Sequence, residues 1–204
     1  MTAIVNANLF RIVSAFVSTD PIRYYLNGVL IQKHPVKGVY LVGSDGHKMI
    51  VAHDETGTTT LDDVIVKLDK PTLSACKSAK GEPSARILKI ESDLRASIIM
   101  DESDSYPMVT CRDSIIVGIY PDWKMVLPSD HAEQSPSSFN AAHISDFSKA
   151  AKELTDQKTG LIRVVAKGDG PALILFPRSN YAFGVLMPVR DDMDDKTPSW
   201  VNMP

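Results

Sequence analysis

Arg23-Tyr24-Tyr25-Leu26-Asn27-Gly28, running on to Ser44-Asp45-Gly46-His47-Lys48-Met49, is the part of the chain that decides its fold. Apolar residues fall in blocks at 22–32, 38–43 and 48–53, and Pro, Gly and Asp separate them, which predicts three strands joined by turns. Ahead of them Leu9, Ile12, Val13, Phe16 and Val17 recur at helical spacing. Either Asn6 or Asn8 can cap that helix. A helix followed by three strands is the resulting unit.

Outward from this stretch the unit recurs twice. A strand at 64–67 leads to a helix from Lys70 to Ala79, with Pro71 in the first turn, where a missing N–H costs little. Strands at 86–90, 95–100 and 114–119 complete the second copy. In the third, Ile144, Phe147, Ala150, Ala151 and Leu154 share one helical face, and strands follow at 161–166, 172–176 and 182–187. Residues 129–138, rich in Ser, Pro, Asp and Gln, read as a linker. Residues 191–204 open with Asp191-Asp192-Met193-Asp194-Asp195, lack periodicity and read as a flexible acidic tail. Periodicity by itself permits any α+β fold of repeated units.

Composition excludes several classes. With 204 residues, 44% apolar and 23% charged, the chain can bury a sizeable core and is not expected to be disordered. No apolar run approaches the ~20 residues of a membrane span, and the first residues lack the basic-then-apolar order of a signal peptide. A cytoplasmic protein is expected. Cys76 and Cys111, without metal-type spacing, read as small buried or half-buried residues in a reducing compartment. A net charge of -3 argues against a uniformly basic surface, though it allows a basic stripe.

Two further stretches, Tyr120-Pro121-Asp122-Trp123-Lys124-Met125-Val126-Leu127-Pro128 and Val185-Leu186-Met187-Pro188-Val189-Arg190, join the first in a resemblance. In sequence and order the three resemble the bacterial sliding clamp, the beta subunit of DNA polymerase III. The resemblance implies a DNA-clamp fold, α+β, of about one and a half clamp domains. Residues 1–128 resemble a complete domain with an insertion around 101–108, and 139–190 resemble the second half of the next.

By position in the family, Leu26, Gly46, His47, Met49, Pro121, Met125, Val126, Leu186, Met187, Pro188, Val189 and Arg190 correspond to the residues of one hydrophobic peptide-binding pocket. Leu, Val, Met and Pro walls of this kind accept a Leu or Phe side chain, each buried anchor contributing roughly 1.5–3 kcal/mol. The partners implied are a DNA polymerase, a clamp loader or a repair protein carrying a short hydrophobic peptide. Met125 stands where the family commonly has a basic residue and Lys48 where it has Arg, so the preferred peptide is expected to differ.

Clamp helices present cations to DNA phosphates without reading sequence, and here Arg11 lies on the first predicted helix, Lys70, Lys77 and Lys80 on or next to the second, and Lys149 and Lys152 on the third, as candidates for that contact. Clamp rings close with twelve such units; this chain holds three, so four chains would supply a ring, while its odd third unit could instead pair with its symmetry mate in a dimer. A homo-oligomer is expected. The alternative is a stand-alone clamp-like peptide-binding or regulatory module that does not encircle DNA.

Plainer readings stand beside these. His47, beside Asp45-Gly46, reads by local statistics as a turn residue, and a metal site with Asp45 and His53 lacks a third ligand at a recognisable spacing. Trp123 reads as a boundary core residue rather than a base-stacking platform. The five His are scattered at 34, 47, 53, 131 and 143, and no nucleophile elbow, phosphate loop or zinc-protease helix occurs. No catalysis, cofactor or metal is expected.

Overall fold

The computed structural model describes residues 1–79, 85–104, 106–128, 138–166 and 170–189. Lys80, most of the linker at 129–137, Arg190 and the acidic tail lie outside them.

The first unit comprises β1 (Thr2–Asn6), α1 (Ala7–Ser14), β2 (Val29–Lys33), β3 (Val39–Ser44), β4 (Lys48–Asp54) and β5 (Thr58–Thr59). Asn6 is the cap of α1: its side chain accepts from the Leu9 amide, while Asn8 binds Arg11 within the helix. The second unit comprises β6 (Val64–Val66), α2 (Lys70–Ala75), β7 (Ile87–Glu91), β8 (Ala96–Ile99), β9 (Val109–Cys111) and β10 (Ile115–Ile116). Asp69 caps α2, which ends four residues earlier than the Ala79 its spacing predicts. The third comprises α3 (Ala141–Thr155), β11 (Arg163–Val165), β12 (Ala172–Leu175) and β13 (Ala182–Leu186). Asn140 caps α3, and Asp156 closes it in a left-handed conformation at φ +49°.

The stretch 22–28 is no strand. Asp20 accepts from the Ile22 amide and from Arg23 Nε, and the chain turns through a 3₁₀ segment at Tyr24–Leu26 before β2 begins at Val29. β1 is a strand that periodicity alone did not announce.

Units one and two complete each other by exchange. β1, which precedes α1, pairs with β7, which follows α2; β6, which precedes α2, pairs with β2, which follows α1. A five-stranded sheet results in the order β5-β1-β7-β8-β9. An eight-stranded sheet runs β10-β6-β2-β3-β4-β13-β12-β11. The seam between the first and third units is thus an antiparallel pairing of β4 with β13, from Ala52↔Ala182 to Lys48↔Leu186.

Alternation along the strands sorts side chains onto two faces. Toward the helices, Ile31, Leu41, Ile50, Ile174 and Leu186 join Phe10, Phe16 and Phe147 in one core that also takes Val5, Leu88, Ile90 and Ile98 of the five-stranded sheet. Two glycines let helices approach: a Cβ on Gly43 would meet the Val13 carbonyl, and one on Gly184 would strike the Phe147 ring. Across the eight-stranded sheet, Leu30, Val42, Met49, Val51 and Val185 form a smaller cluster covered by Trp123. Both cysteines are free and buried, and burial pushes the Cys76 thiol up to about 12. No helix among the described residues is long and apolar enough to cross a membrane.

Candidate functional site at the seam of the first and third units

An open cavity of about 150 Å³ lies on the outer face of the eight-stranded sheet, across the β4–β13 seam. Its floor is Met49 of β4 and Val185 of β13, its walls are Leu26, Pro121, Val126 and Met187, and Trp123 sits at its back. An apolar cavity of this size takes a group as large as benzene.

Each wall has a local cause. The Ser44–Lys48 turn is knit by its own side chains: Asp45 accepts from the amides of His47 and Lys48, and Ser44 Oγ receives the Gly46 amide while donating to the Lys48 carbonyl. Gly46 is required there because φ is +91°, a left-handed conformation that other residues rarely adopt, and the tip of the Arg23 side chain packs where its Cβ would be. The His47 carbonyl accepts from the Met187 amide, which ties this turn to the end of β13 at 2.9 Å. Asp122 caps a 3₁₀ turn at Trp123–Val126 by accepting from the Lys124 amide. Trp123 packs edge-on against Tyr40 and donates to Gln32.

Of the twelve positions implied by the family resemblance, the cavity gathers Leu26, Gly46, His47, Met49, Pro121, Val126 and Met187. Leu186 is displaced from that set: it is fully buried in the core on the helix side, because neighbouring strand residues face opposite ways. Met125, 81% exposed, projects from the 3₁₀ turn, and Pro188 and Val189 lie beyond the lining. Arg190 is outside the described residues. The lining also includes Lys48, a departure from the family, and Ser44, Tyr120, Asp122, Trp123 and Val185, which the resemblance did not assign to the pocket. Val185 was legible from alternation alone, two residues before Met187. The Tyr120 hydroxyl is buried beside the Ser44 backbone without a well-formed hydrogen bond among the described residues, and burial pushes its pKa upward.

Beneath the cavity an ion cluster spans the seam. Lys48 Nζ lies 3.2 Å from Asp45 and 2.9 Å from Asp146 of α3, and Asp146 also meets Lys149 at 3.0 Å. Desolvation pushes the Asp146 carboxyl up, but the bonds from Lys48 and Lys149 outweigh it and hold the group below the usual carboxylate range. Asp45 behaves alike: desolvation is outweighed by the Lys48 and His47 amides and the Lys48 ammonium. For Lys48 desolvation works to lower the pKa, but the bonds to Asp146 and Asp45 outweigh it and raise the ammonium above its ordinary value. Depressed carboxylates contribute stability above their unfolded value and lose it as pH falls through the folded one, so this cluster weakens in acid below about pH 4. Lys48→Met, which leaves two carboxylates facing each other, is expected to cost about 1–3 kcal/mol at neutral pH, between the exposed and fully buried limits. Urea unfolding should show the penalty shrinking in acid. An equal penalty at about pH 3 would remove the cluster as its source.

His47 is a turn residue at one end of β4 and His53 stands near the other, roughly 20 Å away at strand rise. Asp45 is committed to amides and Lys48, and no group of three or more His, Cys, Asp or Glu gathers among the described residues.

The helix cations are divided. Arg11 is mostly buried, held by Asn8 and by Glu153 of α3. Lys70, Lys77, Lys149 and Lys152 are exposed, and Lys77 and Lys152 border one groove with Asn6, Asn8, Glu153 and Asp156. Lys80 is outside the described residues.

Solved bacterial sliding clamps share this architecture. A DNA polymerase III subunit beta sliding clamp from Bartonella birtlesii bound to griselimycin matches with a TM-score of 0.65 at 18% identity, over 93% of this chain and 66% of that one. The DNA polymerase III subunit beta of Borrelia burgdorferi in complex with a natural product matches with 0.64 at 18%, over 93% and 63%. That of Thermotoga maritima matches with 0.60 at 16%, over 93% and 65%. The chain has the α+β sliding-clamp fold and spans less than two thirds of the length of these clamps. No family model matches the sequence, and no curated protein does.

Proposed function

We propose that this protein is a clamp-like processivity factor without catalysis of its own, which tethers a polymerase, clamp loader or repair partner to duplex DNA through the seam cavity. The observation that carries the reading is the cavity itself: Leu26, Met49, Val126 and Met187 come from separate segments and meet on one apolar surface. Polar rims at Ser44, His47 and Asp122 offer groups that can fix a peptide's direction. DNA contact, independent of sequence, falls to the exposed lysines of the helices, with Arg11 contributing less because Glu153 engages it. Assembly as a homo-oligomer and residence in the cytoplasm belong to the same reading, as does a division into a complete clamp-like domain at 1–128 and a half at 139–190.

A peptide with adjacent Leu and Phe anchors is expected to bind with about micromolar affinity, as two or three buried anchors allow. Titration calorimetry with a panel of such peptides tests it. No saturable heat at high micromolar concentration would overturn the pocket assignment.

A further inference from the structure

The exchange that completes the first two units is half finished in the third. On its outer side each pre-helix strand pairs with the last strand of its own unit, β1 with β5 and β6 with β10. The third unit repeats this contact, since Ser138, two residues before the α3 cap, bridges Val189 beyond β13. It lacks the other one. β2 and β7, which follow α1 and α2, each receive the pre-helix strand of the sister unit, whereas β11, which follows α3, pairs only with β12 among the described residues.

Burial records the difference. Val29, Leu30 and Ile31 of β2 are 1%, 2% and 0% exposed, and Leu88 and Ile90 of β7 are 0% exposed. In and beside β11, Val164 is 38% and Leu161 48% exposed. Open strand edges bearing apolar side chains are templates for pairing.

We propose that two copies of this chain dock third unit to third unit, each laying the backbone at Ser138–Phe139 against the outer edge of the other's β11. The third unit carries both halves of the missing contact, a pre-helix segment to give and a post-helix edge to receive. It is therefore self-complementary, as a twofold interface demands, and a second copy of this chain is the occupant that satisfies both halves at once. The composite would repeat the β1–β7 and β6–β2 exchange between chains and extend each eight-stranded sheet. This deepens the homo-oligomer part of the proposed function and needs neither the peptide nor DNA.

Sedimentation velocity over a wide concentration range, with hydrogen exchange on the same samples, tests it. The expected result is a species of twice the 22.4 kDa chain mass, with β11 amides exchanging more slowly as concentration rises. Val164→Lys, at a position already open in the single chain, should weaken the dimer at least tenfold, and Thr110→Lys on β9, the edge of the other sheet, should leave it unchanged. Hydrogen exchange of the unmodified protein decides the matter even if a variant fails to fold. A monomer throughout would overturn both this interface and the homo-oligomer reading. An oligomer whose β11 amides exchange at a concentration-independent rate, or that Thr110→Lys dissolves and Val164→Lys does not, would overturn the interface alone.

Discussion

Phe147→Ala is expected to cost about 3–5 kcal/mol, the range for deleting a large buried aromatic side chain. Phe147 is fully buried, 4.9 Å from the Phe16 ring and 6.4 Å from that of Phe176, in a slot that Gly184 leaves open on β13. It is the peg that holds α3 between the α1 end of the first unit and the strands of its own. Against a total stability of about 5–15 kcal/mol such a loss is large. Chemical denaturation at neutral pH measures it, and the expected signature includes early protease cleavage within 139–189, because the third unit loses its anchor first. A loss below about 1 kcal/mol would mean that α3 is held elsewhere, with the Lys48 cluster the next element to examine.

Met187→Asp and Leu186→Ala should separate binding from stability, although the two residues are adjacent. Met187 is 39% exposed on the cavity wall, so a carboxylate there costs the fold little and meets an incoming apolar anchor directly. Peptide affinity is expected to fall at least tenfold, about 1.4 kcal/mol. Leu186 faces the helices at 0% exposure, so its truncation should cost about 2–5 kcal/mol of stability and leave the affinity of the folded protein nearly unchanged. Calorimetry and urea unfolding on both variants check the pattern. Equal loss of affinity in both would show that the cavity wall is set by the core behind it rather than by the side chains that face it.

That pair also shows where sequence reasoning reached and where it stopped. The three helices and most strands were legible because apolar residues such as Leu9, Ile12 and Val13, or Phe147, Ala151 and Leu154, repeat at the period of the element they belong to. β1 was not, since Thr2–Asn6 is five residues with no turn signal ahead of it and is held by pairing with β7, a partner far away in the chain. The stretch 22–28 looked extended by composition, yet Asp20 diverts it into a 3₁₀ turn through its hydrogen bonds to Ile22 and Arg23. At the site, resemblance carried positions but not orientation. It grouped Leu186 with Met187, which strand geometry sets on opposite faces, and it passed over Tyr120, Trp123 and Val185, which border the cavity from inside the quoted stretches. The Lys48–Asp146 pair, 98 residues apart in sequence, has no local signature at all.

The cavity straddles the β4–β13 seam, with Met49 and Val126 on one bank and Val185 and Met187 on the other. Occupancy and docking are consequently linked: a guest that requires both banks stabilises their union by RT ln(1 + [L]/Kd), and loosening the union raises the guest's apparent Kd in inverse proportion to the fraction of chains still docked. A chain whose third unit has come undocked would thus offer such a guest no complete site, and a bound guest would report that the two banks are joined.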